Sequence, residues 1–379
     1  MTRSNRPLYT ALSTALALAL LAPAAVAQDP SKNTTGSTSM REQRAKRMAE
    51  LGKGKEEAKQ AEQKPALYPN ASRVSPDAKA SPKVVKHLQA MQEAYEKQDY
   101  AGVMAKADAV AAMPAAGAYE KSFAYSLAGN AAADMDDQAK AADYFSKAID
   151  ANGLDNDSHY NTMYNLAVIQ FGNEKYADAL ATVDRFLAET KSQDPKHGGF
   201  RAGILANLGR NDEAAAIYKD LVAKNPADKR LLMNAVAALQ GADKFDQANV
   251  LLEDAYKRGM LVEARELRAL YVGYMNAQRW DDAKKVIDDG TAKGILQPGP
   301  DLARDYQVLA QNAYVDDKIA LAIELYGKAA PMAADGEAYL NLAKVLEYSG
   351  KKAQAKEAAQ KALDKGVKKP DEAKGILSR

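Results

Sequence analysis

The residues best suited to chemistry are three histidines, His87, His159 and His197, and three adjacent carboxylate pairs, Asp136-Asp137, Asp281-Asp282 and Asp316-Asp317. A zinc-binding helix would place two histidines four residues apart around a glutamate, and none of these histidines has that spacing. The chain has no cysteine, so a thiolate metal set, a cysteine nucleophile, a disulfide staple and a lipid-modified cysteine are all excluded. Paired carboxylates could act as acid and base. Each pair, however, stands at or near the expected start of a helix, where a negative side chain caps exposed N–H groups and complements the helix dipole. No Gly-x-Ser-x-Gly elbow, phosphate-cradling loop or dinucleotide fingerprint occurs. The chain is therefore read as a non-enzyme, with no catalytic residue, no metal and no cofactor.

The elements that position these residues follow from a recurrence. Val103, Ala141, Ala179, Ala214, Ala248, Ala283, Ala322 and Ala355 are separated by 38, 38, 35, 34, 35, 39 and 33 residues. A period near 34 residues marks a helical repeat array, whose units bury their apolar faces only by stacking on neighbours. Around Ala214, Gly209 ends one helix, Asp212 and Glu213 open the next, and Ala214, Tyr218 and Leu221 share a face. The recurring alanine is expected where the two helices of a unit cross, since a larger side chain would hold their backbones apart. Phe145, Val183, Leu252, Tyr326 and Ala359 stand four residues after it in other units. Three residues before it come Tyr100, Tyr176, Phe245 and Trp280, expected as core plugs of the turn.

The stretches LGRNDEAAAIYKDLVAKNP (Leu208 to Pro226), QRWDDAKKVIDDG (Gln278 to Gly290) and GKKAQAKEAAQKAL (Gly350 to Leu363) carry this grammar most clearly. The pattern resembles the tetratricopeptide repeat (TPR) family over residues 84 to 366. It departs from the family at Val103, at Tyr271, which stands where the sixth unit's first helix should have a small residue, and in most units by lacking the terminal proline. The resemblance implies an all-α, right-handed superhelical solenoid of about eight TPR-like helix-turn-helix repeats, with the first helices lining a concave groove. In that frame, counting back 14 residues from the recurring position gives Asn165, Asn234 and Asn341. Counting back 18 gives Lys196, Arg230, Arg265 and Arg304 in four consecutive units, with Arg268 and Lys344 on neighbouring positions. An asparagine amide can hold an extended backbone without reading its side chains, and spaced cations attract carboxylates, arginine bidentately. The plainer reading of the same residues is solubility and capping near helix starts.

The rest of the chain divides by composition. Residues 1–27, with Arg3 and Arg6, an apolar run from Leu8 to Leu21 and Ala25-Val26-Ala27, read as a cleaved signal peptide too short in its apolar run to span a bilayer. Residues 28–82 read as a flexible, Pro-containing arm: Met40 to Lys64 is charged, either a solvated helix broken at Gly52 and Gly54 or disordered, and Pro65, Pro69, Pro76 and Pro82 mark an extended linker. Residues 83–366 form the repeat domain and 367–379 a C-terminal tail. Losing the signal removes two of 52 basic residues and none of the 50 acidic ones, so nothing draws the whole molecule to nucleic acid or an anionic membrane. The expected function is a protein-interaction scaffold of the cell envelope, in a Gram-negative periplasm, holding a protein or peptide segment with acidic residues. The alternatives are an envelope-assembly or cell-wall accessory factor acting through the arm, and an enzyme with an unrecognised site.

Overall fold

The computed structural model describes residues 65–76 and 79–379. The expected signal peptide and the charged stretch before Lys64 thus lie outside the described residues. Among the described residues there are seventeen α-helices and no strand. They fall into two compact units that meet in sequence at Lys244 and Phe245.

The first unit contains α1 (Val85–Glu96), α2 (Tyr100–Ala112), α3 (Ala118–Asp134), α4 (Gln138–Ala151), α5 (Asn156–Gly172), α6 (Tyr176–Thr190), α7 (Pro195–Asn207), α8 (Asn211–Lys224) and α9 (Lys229–Gly241). The second contains α10 (Phe245–Lys257), α11 (Ala264–Asn276), α12 (Trp280–Ala292), α13 (Pro300–Val315), α14 (Ile319–Met332), α15 (Glu337–Tyr348), α16 (Lys352–Lys365) and α17 (Pro370–Ser378). Within each unit, helices adjacent in sequence pack on one another, as stacked helix pairs require.

All eight recurring positions are core: Val103, Ala141, Ala179, Ala214, Ala248, Ala283, Ala322 and Ala355 are each at most 2% exposed. The residues four and seven positions later, such as Phe145 and Ala148, Val183 and Phe186, or Leu252 and Ala255, are buried with them. How close the helices come is clear at Gly129 of α3, where a Cβ would lie 2.5 Å from the Phe145 ring of α4.

The turn inside every repeat has one geometry. Five residues before each recurring position, Gln98, Asp136, Glu174, Gly209, Asp243, Gln278, Asp317 and Gly350 all adopt positive φ, between 56° and 78°. The next residue's N–H then donates to the carbonyl five positions back, as in Asp99 to Ala94 (2.9 Å), Lys175 to Gln170 (2.9 Å), Arg279 to Tyr274 (2.8 Å) and Lys351 to Leu346 (2.9 Å). This left-handed helix stop satisfies carbonyls that the helix end would otherwise leave open. Only two of the eight residues are glycine, which is why glycine spacing does not reveal the turn.

Several expectations need correction. The turn aromatics are not core plugs: Tyr100, Tyr176 and Trp280 are half-buried and Phe245 is 48% exposed, because they begin the second helix at its outer edge. The carboxylate pairs are only partly caps. Asp137 accepts the Lys140 N–H as N-cap of α4, and Asp281 and Asp282 lie in the first turn of α12. Asp136 and Asp317, by contrast, are the left-handed turn residues, and Asp316 ends α13. The C-terminal tail contains α17, which seats Ala373 and Ile376 on the α15–α16 core.

Candidate protein-binding surface

Each cation of the expected column occupies the start of a first helix. Lys196 and Arg230 lie on α7 and α9 of the first unit, Arg265 and Arg304 on α11 and α13 of the second. A cation there opposes the helix dipole, and every one has a carboxylate just upstream. Lys196 Nζ lies 3.4 Å from Asp194, Arg230 Nη2 3.7 Å from Asp228, Arg265 Nε 2.8 Å from Glu263 and Arg304 Nη1 3.2 Å from Asp301. Asp194 and Asp228 are at the same time N-caps, accepting the N–H groups of Lys196 and Leu231. The four cationic side chains remain 61, 47, 74 and 56% exposed in that order, so these pairs are wet and cost little to open. Asn165, Asn234 and Asn341 are half-buried one turn further along α5, α9 and α15.

The two neighbouring basic residues are committed elsewhere. Arg268 of α11 donates from Nε and Nη2 to Asp305 of α13, at 3.1 and 3.3 Å, and the Tyr271 hydroxyl donates to the same carboxylate at 2.7 Å. Asp305 is only 4% exposed. Burial and the adjacent Asp305 charge hold the Tyr271 hydroxyl well above its ordinary pKa, so it stays a donor. Tyr271, the residue that breaks the small-residue pattern, is therefore the bridge to the next repeat. Lys344 of α15 pairs with Glu372 of α17 and fastens the terminal helix.

The most elaborate arrangement lies where a flexible linker was expected. Residues 65–76 form a strap along the edge of the third repeat, anchored by two side chains five residues apart. Tyr68 packs edge-on against Tyr160 of α5 (5.6 Å between centroids) and Phe186 of α6 (5.5 Å), with His197 of α7 at 6.4 Å. Its hydroxyl donates to Asn161 Oδ1 at 3.0 Å, and the Leu67 N–H donates to Asp157 at 3.1 Å. Burial, and then the charge of Asp157, keep the Tyr68 hydroxyl protonated. Asn161 is the residue 18 before Ala179, so Tyr68 sits at the third repeat's member of the column that is basic in the next four.

Arg73 uses the helix ends. Its Nε donates to Asn152 Oδ1 (2.7 Å), Nη1 to Asn156 Oδ1 (2.7 Å), and Nη2 to the carbonyls of Asn152 (3.0 Å) and Leu154 (2.9 Å). Asn152 is the left-handed C-cap of α4, so the guanidinium meets the negative end of that helix. Asn156 returns a bond from Nδ2 to the Arg73 carbonyl at 2.8 Å. Ser72 donates from its N–H to the Glu189 carbonyl in the last turn of α6, at 2.8 Å. An open cleft of about 480 Å³ flanks the strap, lined in part by Ser72, Arg73, Asp150, Arg185 and Glu189. Further on, Ser81 N–H donates to the buried Glu120 at the start of α3, at 2.6 Å.

Two histidines lie beneath this edge. His159 is 1% exposed with neither ring nitrogen bonded, and His197 is 4% exposed with Nδ1 2.7 Å from Ser192 Oγ. Burial first, and then nearby cations (Arg73 and Arg185 for His159, Lys196 for His197), push both down to about 4, so both rings are neutral at pH 7. Among the described residues, no cluster of three or more His, Asp or Glu side chains is placed to hold a metal ion, and no helix is long and apolar enough to cross a membrane.

Sequence reasoning missed Tyr68 and Arg73. The available signal was that Tyr68 is the single aromatic of residues 28–82.

No protein-family model matches the chain. No curated protein matches it either. Among solved structures, it is similar to a tetratricopeptide repeat protein from Parabacteroides merdae, with 17% identity over 67% of this chain and 96% of that one, at a TM-score of 0.40. It is also similar to the C-terminal part of a TPR repeat-containing protein from Cytophaga hutchinsonii, with 17% identity over 65% of this chain and 97% of that one, at a TM-score of 0.46. A third is YrrB, described as a TPR protein with an unusual peptide-binding site, with 20% identity over 52% of this chain and 98% of that one, at a TM-score of 0.40. The chain is an all-α protein of stacked helix-turn-helix repeats.

Proposed function

We propose that the chain is a non-enzymatic interaction scaffold, exported to the cell envelope, that holds an acidic segment of a partner protein against the starts of its first helices. The observation that carries this reading is the exposed cation at one position of the first helix, on α7 and α9 within the first unit and again on α11 and α13 within the second. Each lies beside an exposed or half-exposed carboxylate two or three residues upstream, a pairing that a partner's carboxylate can replace at little cost. The half-buried Asn165, Asn234 and Asn341 add amides that can pair with a partner backbone. Arg268 and Lys344 are left out of this surface because their charges are spent on Asp305 and Glu372.

The test is affinity capture of the mature protein from an envelope fraction, followed by binding of the captured partner to an Arg230→Ala, Arg265→Ala, Arg304→Ala variant. Binding should weaken and its salt dependence should flatten; unchanged binding would refute the cationic register. The reading in which the arm makes the functional contact gains support from the docking of residues 65–76. Deleting residues 28–82 while retaining the partner would remove it.

A further inference from the structure

We infer that the edge of the third repeat is a peptide-docking site, that residues 65–76 are its resident and displaceable ligand, and that the partner segment it takes carries an aromatic residue followed five positions later by an arginine. The strap is held like a ligand: Tyr68 and Arg73 are anchored, while Leu67 and Val74 beside them are 53% and 90% exposed. It has no helix or strand of its own, so its release breaks no secondary structure. The receptor's rings also have contacts that do not involve the strap: Phe186 packs on His197 (4.8 Å) and Tyr164 (5.5 Å). The strap's polar partners are the side chains of Asn152, Asn156, Asp157 and Asn161 and carbonyls at or just beyond the C-terminal ends of α4 and α6, all of which can accept from another extended chain that brings donors in this order.

A tethered segment competes at high local concentration. With an effective concentration on the order of 1 mM and an intrinsic Kd on the order of 0.1 mM, the closed form outweighs the open one by about tenfold. An incoming segment must therefore bind in competition with the strap, and a mutation that frees the edge raises its apparent affinity by that factor.

The inference rests on the interaction-scaffold reading, but its probe has no acidic residue and its site does not include Arg230, Arg265 or Arg304. Failure of the envelope capture therefore leaves it standing. A fluorescein-labelled peptide PALYPNASRVSP, residues 65–76, is titrated by anisotropy into the full chain and into the full-length Tyr68→Ala/Arg73→Ala variant. The variant should bind about tenfold more tightly than the unmodified chain. Peptide carrying alanine at both anchors should bind neither protein, and adding Asn156→Ala to the variant should weaken binding again. Equal binding to both proteins, or binding to neither, would overturn the proposal. Loss of helical circular dichroism in the variant would overturn it too, since the strap would then be part of the fold. An Arg73→Lys variant separates the two roles: it keeps the charge and loses the fork, so peptide binding should rise above that of the unmodified chain while the helical circular dichroism at about 25 °C is unchanged.

Discussion

At the third repeat, in the first unit, polar groups are buried neutral among aromatic rings, with His159 and His197 uncharged beneath Tyr68, Tyr160 and Phe186. At the α11–α13 junction, in the second unit, a carboxylate is buried charged, held by the Arg268 fork and the Tyr271 hydroxyl. Both sites occur where one repeat meets the next; at the second, Tyr271 stands where the third repeat keeps the buried Ala167. The difference lies in what each can tolerate. A neutral aromatic pocket exchanges one aromatic side chain for another at modest cost, which suits a docking site. A buried ion pair fixes its neighbours, because either partner alone would be left as an uncompensated charge. The first arrangement belongs to an edge that can be covered and uncovered, the second to a joint that stays closed.

The largest effect expected from this contrast is at the joint. Asp305→Ala leaves the half-exposed Arg268 guanidinium and the buried Tyr271 hydroxyl without their acceptor, and should cost about 2–4 kcal/mol, most of it from the hydroxyl and the lost charge-assisted bonds. Hydrogen exchange read peptide by peptide should show the loss in α11–α13, with α5–α7 unaffected. An Arg268→Met/Tyr271→Phe/Asp305→Leu triple variant should recover most of it, since apolar replacement then removes both charges and the hydroxyl that Asp305 accepted from. A small effect from Asp305→Ala would break the comparison, placing the joint's stability in packing alone.

Acid should act on the opposite unit. Both histidines titrate near 4 in the fold against about 6.5 in the unfolded chain, so between those values the unfolded state binds more protons. Stability is then fully present above about pH 6.5 and is lost as pH falls toward 4, by at most about 3 kcal/mol per histidine. All three histidines precede Lys244, so the second unit has none to protonate. Exchange protection measured at pH 7 and pH 4.5 should fall first in α5–α7; earlier loss in the second unit would contradict the assignment.

The smallest expected effect is one that the two units share. Glu174→Gly in the first and Gln278→Gly in the second each replace a side chain held at positive φ (59° and 57°). Each should stabilise by about 0.5–1 kcal/mol, the steric relief exceeding glycine's added chain entropy. Urea midpoints that moved in one unit only would show that the turns are not equivalent.

How far the sequence was legible depends on the range of the interaction. The recurring alanines were read correctly as helix crossings because the residues that need them lie within one repeat, as Ala214, Tyr218 and Leu221 do. The left-handed turns went unread because six of eight use Gln, Asp or Glu, whose conformation is imposed by hydrogen bonds across the helix end. Lys196, Arg230, Arg265 and Arg304, expected in a groove, stand at exposed helix starts beside carboxylates two or three residues away, as the plainer reading of those residues has it. Arg268 was misjudged for a longer-range reason, its partner Asp305 lying 37 residues on. The linker reading failed at Tyr68 and Arg73, whose hydrogen-bond partners lie 79 to 93 residues away.

By itself, then, the sequence determined the repeat: a period, a crossing residue and a second-helix face, each encoded within about 34 residues and repeated until chance could not explain it. Tertiary structure alone decided which polar groups stay exposed, which are consumed in joints, and which edge the chain folds its own segment across. The physical reason is that pairing an arginine with a carboxylate or a helix end depends on where the stacked helices bring those groups, a property of packing that no local window contains.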